Sequence, residues 1–266
     1  MLLDLDDTLY PEREFARGGF RATAALLAER LSRSSNENNS CSPGPCGLES
    51  LTRAPELLMN QPTHEGSGYR TDELFESLWK SFERGVRGSI FDTILAELNV
   101  PHDDALIAEL VRAYRSHEPQ LTLFEDADRL LELLWPKYGV GLLTDGPADV
   151  QRRKVKSLGL QSRVEAIVYS DDFGREHWKP SPIPYLELLR KMHVDPSHAV
   201  YVGDNPKKDF IGARRLGLQT VRIRRPNTEH GHVEPAPGFE ADHEITSLDA
   251  LPDWLAANER SNRHAA

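Results

Sequence analysis

The chain has 266 residues, 39% of them hydrophobic and 28% charged, with a formal net charge of −10 and a sequence pI near 5.5. That balance fits a soluble protein able to bury a core, and it excludes a basic face for nucleic acid or for an anionic membrane surface. No apolar run approaches the ~18 residues of a membrane span, and MLLDLDD places acids where a signal peptide needs basic and then apolar residues.

In chain order, Leu2 to Asp6 reads as a short buried strand running into an acidic loop. EREFARGGFRATAALLAERL (12–31) then sets Phe15, Phe20, Ala24, Leu27 and Leu31 at helical spacing. Ser32 to Gly68 is rich in Ser, Asn, Pro and Gly and reads as a long loop or disordered insert. It holds Cys41 and Cys46, the only two cysteines. Zinc needs four ligands, so two mobile thiols in a reducing cytoplasm are the simpler reading. Helical pattern returns from Thr71, a candidate N-cap, and continues over Ile90–Leu98, Asp103–His117 and Asp126–Leu134. Beyond Pro136, Val140–Thr144, Ala166–Tyr169, Ala199–Val202 and Gln219–Ile223 are strand-like, separated by helical Ala148–Leu158, Pro184–Met192 and Asp209–Leu216. A closing helix near 247–258 and a frayed tail at 259–266 complete the chain.

Strands alternating with helices predict an α/β fold, a doubly wound parallel sheet with helices on both faces. A crossover needs only about a dozen residues, yet the strand pattern pauses from the first strand to Pro136. The expectation is therefore a Rossmann-like core, residues 1–11 and 120–258, with an all-helical cap at 12–119 that contains the 32–68 insert.

Ligands of open α/β sheets bind beyond the carboxyl ends of strands, and the residues there share a chemistry. Strand one runs into Asp4-Leu5-Asp6-Asp7-Thr8; in an extended segment Asp4 and Asp6 point to one side. Such close carboxylates call for a cation. The next strand ends in Thr144-Asp145-Gly146, Lys179 precedes a proline, and the fourth strand runs into Gly203-Asp204-Asn205-Pro206-Lys207-Lys208-Asp209. Singly these are ordinary features: a turn threonine, a surface lysine, an N-capping Asp209. In sequence at strand ends, hard oxygen ligands suit Mg²⁺, and a lysine suits phosphate.

DLDDTLY, LLTDG, HWKPSPIPY and GDNPKKDF resemble, in order, the four motifs of the haloacid dehalogenase-like hydrolases. The resemblance covers the chain outside 32–68. It implies that Asp4 is the nucleophile, forming an aspartyl-phosphate, and that Asp6 is the general acid/base. Thr144 and the backbone amides around Asp145 would hold the phosphoryl group, and Lys179 would neutralise nucleophile and phosphate. Mg²⁺ would be held by Asp4, the Asp6 carbonyl and Asp204, with Asp209 a ligand, a ligand through water, or the residue that orients Lys179. The helical insert resembles the family's first type of cap; Tyr10, Arg17 and Arg21 either face substrate there or pack. Only Met1, Leu2 and Leu3 precede Asp4, so either this strand is short or the natural start lies upstream.

The implied function is a Mg²⁺-dependent cytoplasmic phosphatase of a small phosphorylated metabolite, without nucleic-acid or membrane partners. A phosphomutase shares every named residue and is the enzyme alternative. A catalytically retired binding protein would have lost a charged motif residue, and none is missing.

Overall fold

The computed structural model describes residues 1–39, 70–134 and 137–265. Most of the 32–68 segment, with Cys41 and Cys46, lies outside the described residues. Two compact units divide the chain: residues 1–16 with 118–266, and residues 17–117.

The first unit is built on six parallel strands: β1 (Leu2–Leu3), β2 (Gly141–Thr144), β3 (Ala166–Tyr169), β4 (Val200–Gly203), β5 (Gln219–Ile223) and β6 (His243–Ile245). Their order is β3-β2-β1-β4-β5-β6. β1 is only two residues long, yet it pairs on both sides, Leu2 with Gly141 and Tyr201, Leu3 with Leu142 and Val202. β2 and β4 are buried along their whole length, the pattern of a sheet covered on both faces. On one face Leu2, Leu143, Val168 and Tyr201 pack with Tyr185, Leu188, Leu189 and Phe210 into a core cluster. The covering residues come from α7 (Ile183–Met192) and α8 (Asp209–Arg215). Further helices of this unit are α5 (Glu125–Leu134), α6 (Ala148–Ser157) and α9 (Leu251–Ala265).

The second unit is helical. It contains most of α1 (Glu12–Asn39), with α2 (Thr71–Glu83), α3 (Ile90–Glu97) and α4 (Asp104–Ser116). Phe20 sits edge-on to Trp79, Phe82 and Phe91, and tilted against Tyr114. Its neighbour must be glycine: a Cβ on Gly19 would lie 2.5 Å from the Tyr114 ring. Among the described residues, no helix is long and apolar enough to cross a membrane.

Three expectations are corrected. α1 continues past Leu31 through Ser32 to Asn39, because SRSSNENN is polar but holds no proline or glycine to break a helix. α9 continues to Ala265 where a frayed tail from 259 was expected. β6 was not predicted: only Ile245 of its three residues is buried, so the edge strand leaves almost no periodicity to read.

Candidate active site

β1 and β4 are adjacent, and the chain builds outwards from β1 through β2 and β3 on one side, then through β4, β5 and β6 on the other. That reversal opens the crevice where ligands of such sheets bind. Asp4 leaves the end of β1, its amide donating to the Val202 carbonyl at 2.9 Å. Asp204 leaves the end of β4. A cavity of about 130 Å³ opens there, lined in part by Asp4, Asp6, Asp145, Asp204 and Lys208.

Lys179 anchors the site. Its side chain has no exposed surface, and its ammonium pairs with Asp4 and with Asp209 at 2.8 Å. It also donates to the Tyr201 hydroxyl at 2.9 Å. Burial alone would lower the Lys179 pKa, but Asp209 and then Asp4 outweigh it and hold the pKa well above the ordinary lysine value. The Asp4 carboxyl is pushed up to about 7 by burial, despite the opposing pull of Lys179. Its second oxygen accepts from Thr8 Oγ1 at 3.3 Å.

Asp4, Asp204 and Asp209 each offer an oxygen within 4.8 Å of the others, and all three are buried. Asp204 Oδ2 is buried with no partner among the described residues. Burial, followed by the charges of Asp209 and Asp4, drives the Asp204 carboxyl well above the carboxylate range. An orphaned buried oxygen beside two other carboxylates fits a hard divalent cation such as Mg²⁺. The oxygens of Asp209 are already engaged. Oδ1 pairs with Lys179 and accepts from Tyr201 at 3.3 Å, and Oδ2 accepts from the Asn205 amide at 2.8 Å. Asp209 is thus paired with Lys179, and it does not cap α8 as a lone sequence reading allows. The fit is tight: a Cβ on Gly203 would lie 2.6 Å from Asp209 Oδ2.

The two aspartates of the first motif have different partners. The strand ends at Leu3 and the chain turns at Asp7, whose φ of 54 lies in the left-handed region that aspartate tolerates. Asp6 stands outside the carboxylate cluster of Asp4, Asp204 and Asp209. Asp6 Oδ1 accepts from the Tyr10 hydroxyl at 2.5 Å and from Lys154 Nζ at 2.7 Å. Its Oδ2 accepts from Gln151 Nε2 at 2.8 Å. Burial acts to raise the Asp6 pKa, but the Lys154 charge and these bonds hold it below the ordinary value.

Thr144 is fully buried, and its Oγ1 accepts from the same Gln151 amide, which ties it to the Asp6 group. Asp145 accepts from the Lys179 amide at 3.2 Å and from Lys208 Nζ at 3.0 Å. Tyr10 is fully buried against Asp6, and its hydroxyl is used there. Arg17 lies 5.1 Å from the Trp79 ring centre and Arg21 lies 5.0 Å from that of Phe75, both within the helical unit.

Sequence reasoning missed Tyr201, Gln151, Lys154 and Lys208. Tyr201 sits inside the apolar run VYV and reads as core. Gln151 and Lys154 lie three apart on α6 and so share a helix face, but polar residues on a helix read as solvated. Lys208 stands inside the fourth motif and offered the best available signal.

The sequence profile of the haloacid dehalogenase-like hydrolases matches residues 71–223. A glyceraldehyde 3-phosphate phosphatase of Methanopyrus kandleri is 30% identical over 256 residues, 94% of this chain and 96% of the relative. A phosphoserine phosphatase of Thermus thermophilus is 27% identical, covering 85% of this chain and 88% of its own. Among solved structures, a magnesium-bound hydrolase from Bacillus subtilis aligns over 96% of both chains, with a TM-score of 0.57 at 20% identity. At that identity the likeness speaks for the fold.

Proposed function

The chain belongs to the haloacid dehalogenase-like hydrolases, and from that membership we propose that it is a Mg²⁺-dependent phosphatase of a small phosphorylated metabolite, working through an aspartyl-phosphate on Asp4. That it hydrolyses phosphate esters follows from its family and from relatives named as phosphatases. The observation that carries the finer reading is the buried Lys179–Asp4 pair beside the unpartnered oxygen of Asp204. A carboxylate is a weak nucleophile towards an anion unless charge is neutralised around it. Mg²⁺, held by Asp4, Asp204 and the Asp6 carbonyl, would offset the negative charge of the phosphoryl group.

The remaining steps belong to the side chains. Lys179, fixed by Asp209 and Tyr201, places its positive charge where Asp4 meets the phosphorus. Asp4 Oδ forms the new P–O bond as the bond to the leaving oxygen breaks, and protonated Asp6 gives that oxygen its proton. Asp6, now a carboxylate, takes a proton from water, and the resulting hydroxide attacks phosphorus. The P–O bond to Asp4 breaks, hydrogen phosphate leaves, and Asp6 is protonated for the next cycle. The bonds Asp6 accepts from Tyr10, Gln151 and Lys154 suit its carboxylate stage. Relatives named for glyceraldehyde 3-phosphate and phosphoserine support a small substrate. We place the enzyme in the cytoplasm, a reducing setting that suits a chain with only two cysteines.

The test is hydrolysis of an aryl phosphate with the metal removed and restored. EDTA should abolish turnover and Mg²⁺ should restore it, with inorganic phosphate released one for one. Mg²⁺ at about 100 times its Kd should stabilise the fold by about 2.7 kcal/mol. In a chain of this size that raises Tm by roughly 5–10 °C. Asp204→Ala should remain folded and lose both turnover and the Tm shift. Full turnover in EDTA, or in Asp204→Ala, would sink the proposal.

A further inference from the structure

The Asp6 carboxylate is held from the other side of the site by α6, the helix that follows the second motif. Lys154 is the unusual member of that group. Its side chain is only 4% exposed, yet its nearest carboxylate is Asp6 at 2.7 Å; Glu12, half exposed, stands off at 3.8 Å. Nζ also lies 4.6 Å from the centre of the Phe15 ring and 5.9 Å from that of Tyr10. A buried ammonium is costly unless its partner is well placed, so a lysine at this position needs a reason. Gln151, one turn earlier, spends one amide group on two acceptors, Asp6 Oδ2 and Thr144 Oγ1. Helix α6 thus grips Asp6 at both oxygens and ties it to the end of β2.

We propose that Lys154 is a positioning residue for catalysis: it holds the Asp6 carboxylate at the angle from which it exchanges protons with the leaving oxygen and with water, and Gln151 couples that position to Thr144. This rests on the acid/base reading of Asp6. Both oxygens of a carboxylate held by one neutral donor pair alone, Tyr10 and Gln151, can still swing about the Cβ–Cγ bond; the ammonium supplies a third, charged bond that resists the swing. Lys154 need not touch substrate for this, and it forms no bond in the reaction.

The experiment compares two substrates on four proteins: wild type, Lys154→Met, Asp6→Asn and the double variant. Glycerol phosphate expels a basic alkoxide that needs a proton; p-nitrophenyl phosphate expels nitrophenolate, a stable anion that does not. Lys154→Met, of similar length but uncharged, should lose about tenfold or more in kcat/KM on glycerol phosphate, part of the ~10²–10⁴-fold that a positioned acid/base supplies. It should lose less in kcat/KM on p-nitrophenyl phosphate, whose transfer to Asp4 needs no acid. In the Asp6→Asn background the same substitution should cost under twofold, since a residue acting through Asp6 has nothing left to position. Equal losses on both substrates, or the same loss with and without Asp6, would overturn the proposal. If Asp6→Asn alone shows no dependence on the leaving group, the acid/base reading itself fails, which is a separate result. Should Lys154→Met not fold, Lys154→Arg carries the same comparison. Arg keeps the charge but changes the bond geometry, so a smaller loss that vanishes with Asp6→Asn supports the role and an undiminished one refutes it.

Discussion

Lys179 is the residue on which the site's electrostatics turn, because its fully buried ammonium joins Asp4, the proposed nucleophile, to Asp209. Tyr201 is its uncharged partner, packed edge-on to Tyr185 with ring centres 5.0 Å apart. Tyr201→Phe keeps the ring and removes the hydroxyl, and a hydrogen bond to a charged group is worth about 1.5–3 kcal/mol. Urea titration should show a loss of that size with the m-value unchanged, and kcat should fall several-fold with KM nearly constant. A variant as stable and active as the parent would mean that the carboxylates alone fix Lys179. Asp4, Asp145, Asp204 and Lys179 were legible in the sequence because each stands directly after a strand or beside a proline, where core packing gives acids and lysines no other reason to be. Tyr201 was not, since inside a buried strand an aromatic residue needs no functional explanation. Gln151 and Lys154 were hidden for the opposite reason: helices of soluble proteins carry polar residues freely, and only the fold shows that these two are buried.

At the scale of elements, a buried ion pair joins three segments around the site. Arg225, just past β5, makes two bonds of 3.0 and 2.9 Å to Asp126 in the first turn of α5 and one of 3.0 Å to the Thr8 carbonyl. Asp126 also accepts from the Leu248 amide at 2.8 Å. Thr8 in turn bonds Asp4, so the clamp steadies the loop that carries the proposed nucleophile. Breaking such a pair from one side strands a buried charge and costs about 3–5 kcal/mol. Arg225→Met should be destabilised by that amount at pH 7, and adding Asp126→Leu should recover most of it. Burial acts to raise the Asp126 pKa, but the bonds from Arg225 and the Leu248 amide outweigh it and hold the pKa below the ordinary value. Stability from a depressed acid is present above the unfolded pKa of about 3.9 and is lost as pH falls through the folded one. The gap between wild type and Arg225→Met should therefore narrow below about pH 4, and a gap constant from pH 7 to pH 3 would contradict the pair's role. Five of the six strands and most helices could be placed from apolar periodicity. β6 could not, with one buried residue in three, and neither could the polar extension of α1 to Asn39.

For the molecule as a whole, alternation of strand and helix foretold a parallel sheet, but no pattern in the sequence states the order in which its strands lie. The order matters because the neighbouring β1 and β4 bring Asp4 and Asp204 to one crevice from positions 200 residues apart in the chain. A protein of net charge −10 that gathers three carboxylates there can receive an anionic substrate only with local positive charge, from Lys179, Lys208 and the proposed cation. In the proposed mechanism the two aspartates of the first motif divide the chemistry, Asp4 bonding phosphorus and Asp6 moving protons. Their separate surroundings, Lys179 for one and Lys154 for the other, agree with that division. Rapid acid quenching with phosphorus-labelled p-nitrophenyl phosphate tests it most directly. Asp6→Asn should accumulate label on the peptide containing Asp4, because the phosphoenzyme forms without an acid but its hydrolysis lacks a base. Asp4→Asn should carry none. Label in neither variant, or equal label in both, would contradict the assignment.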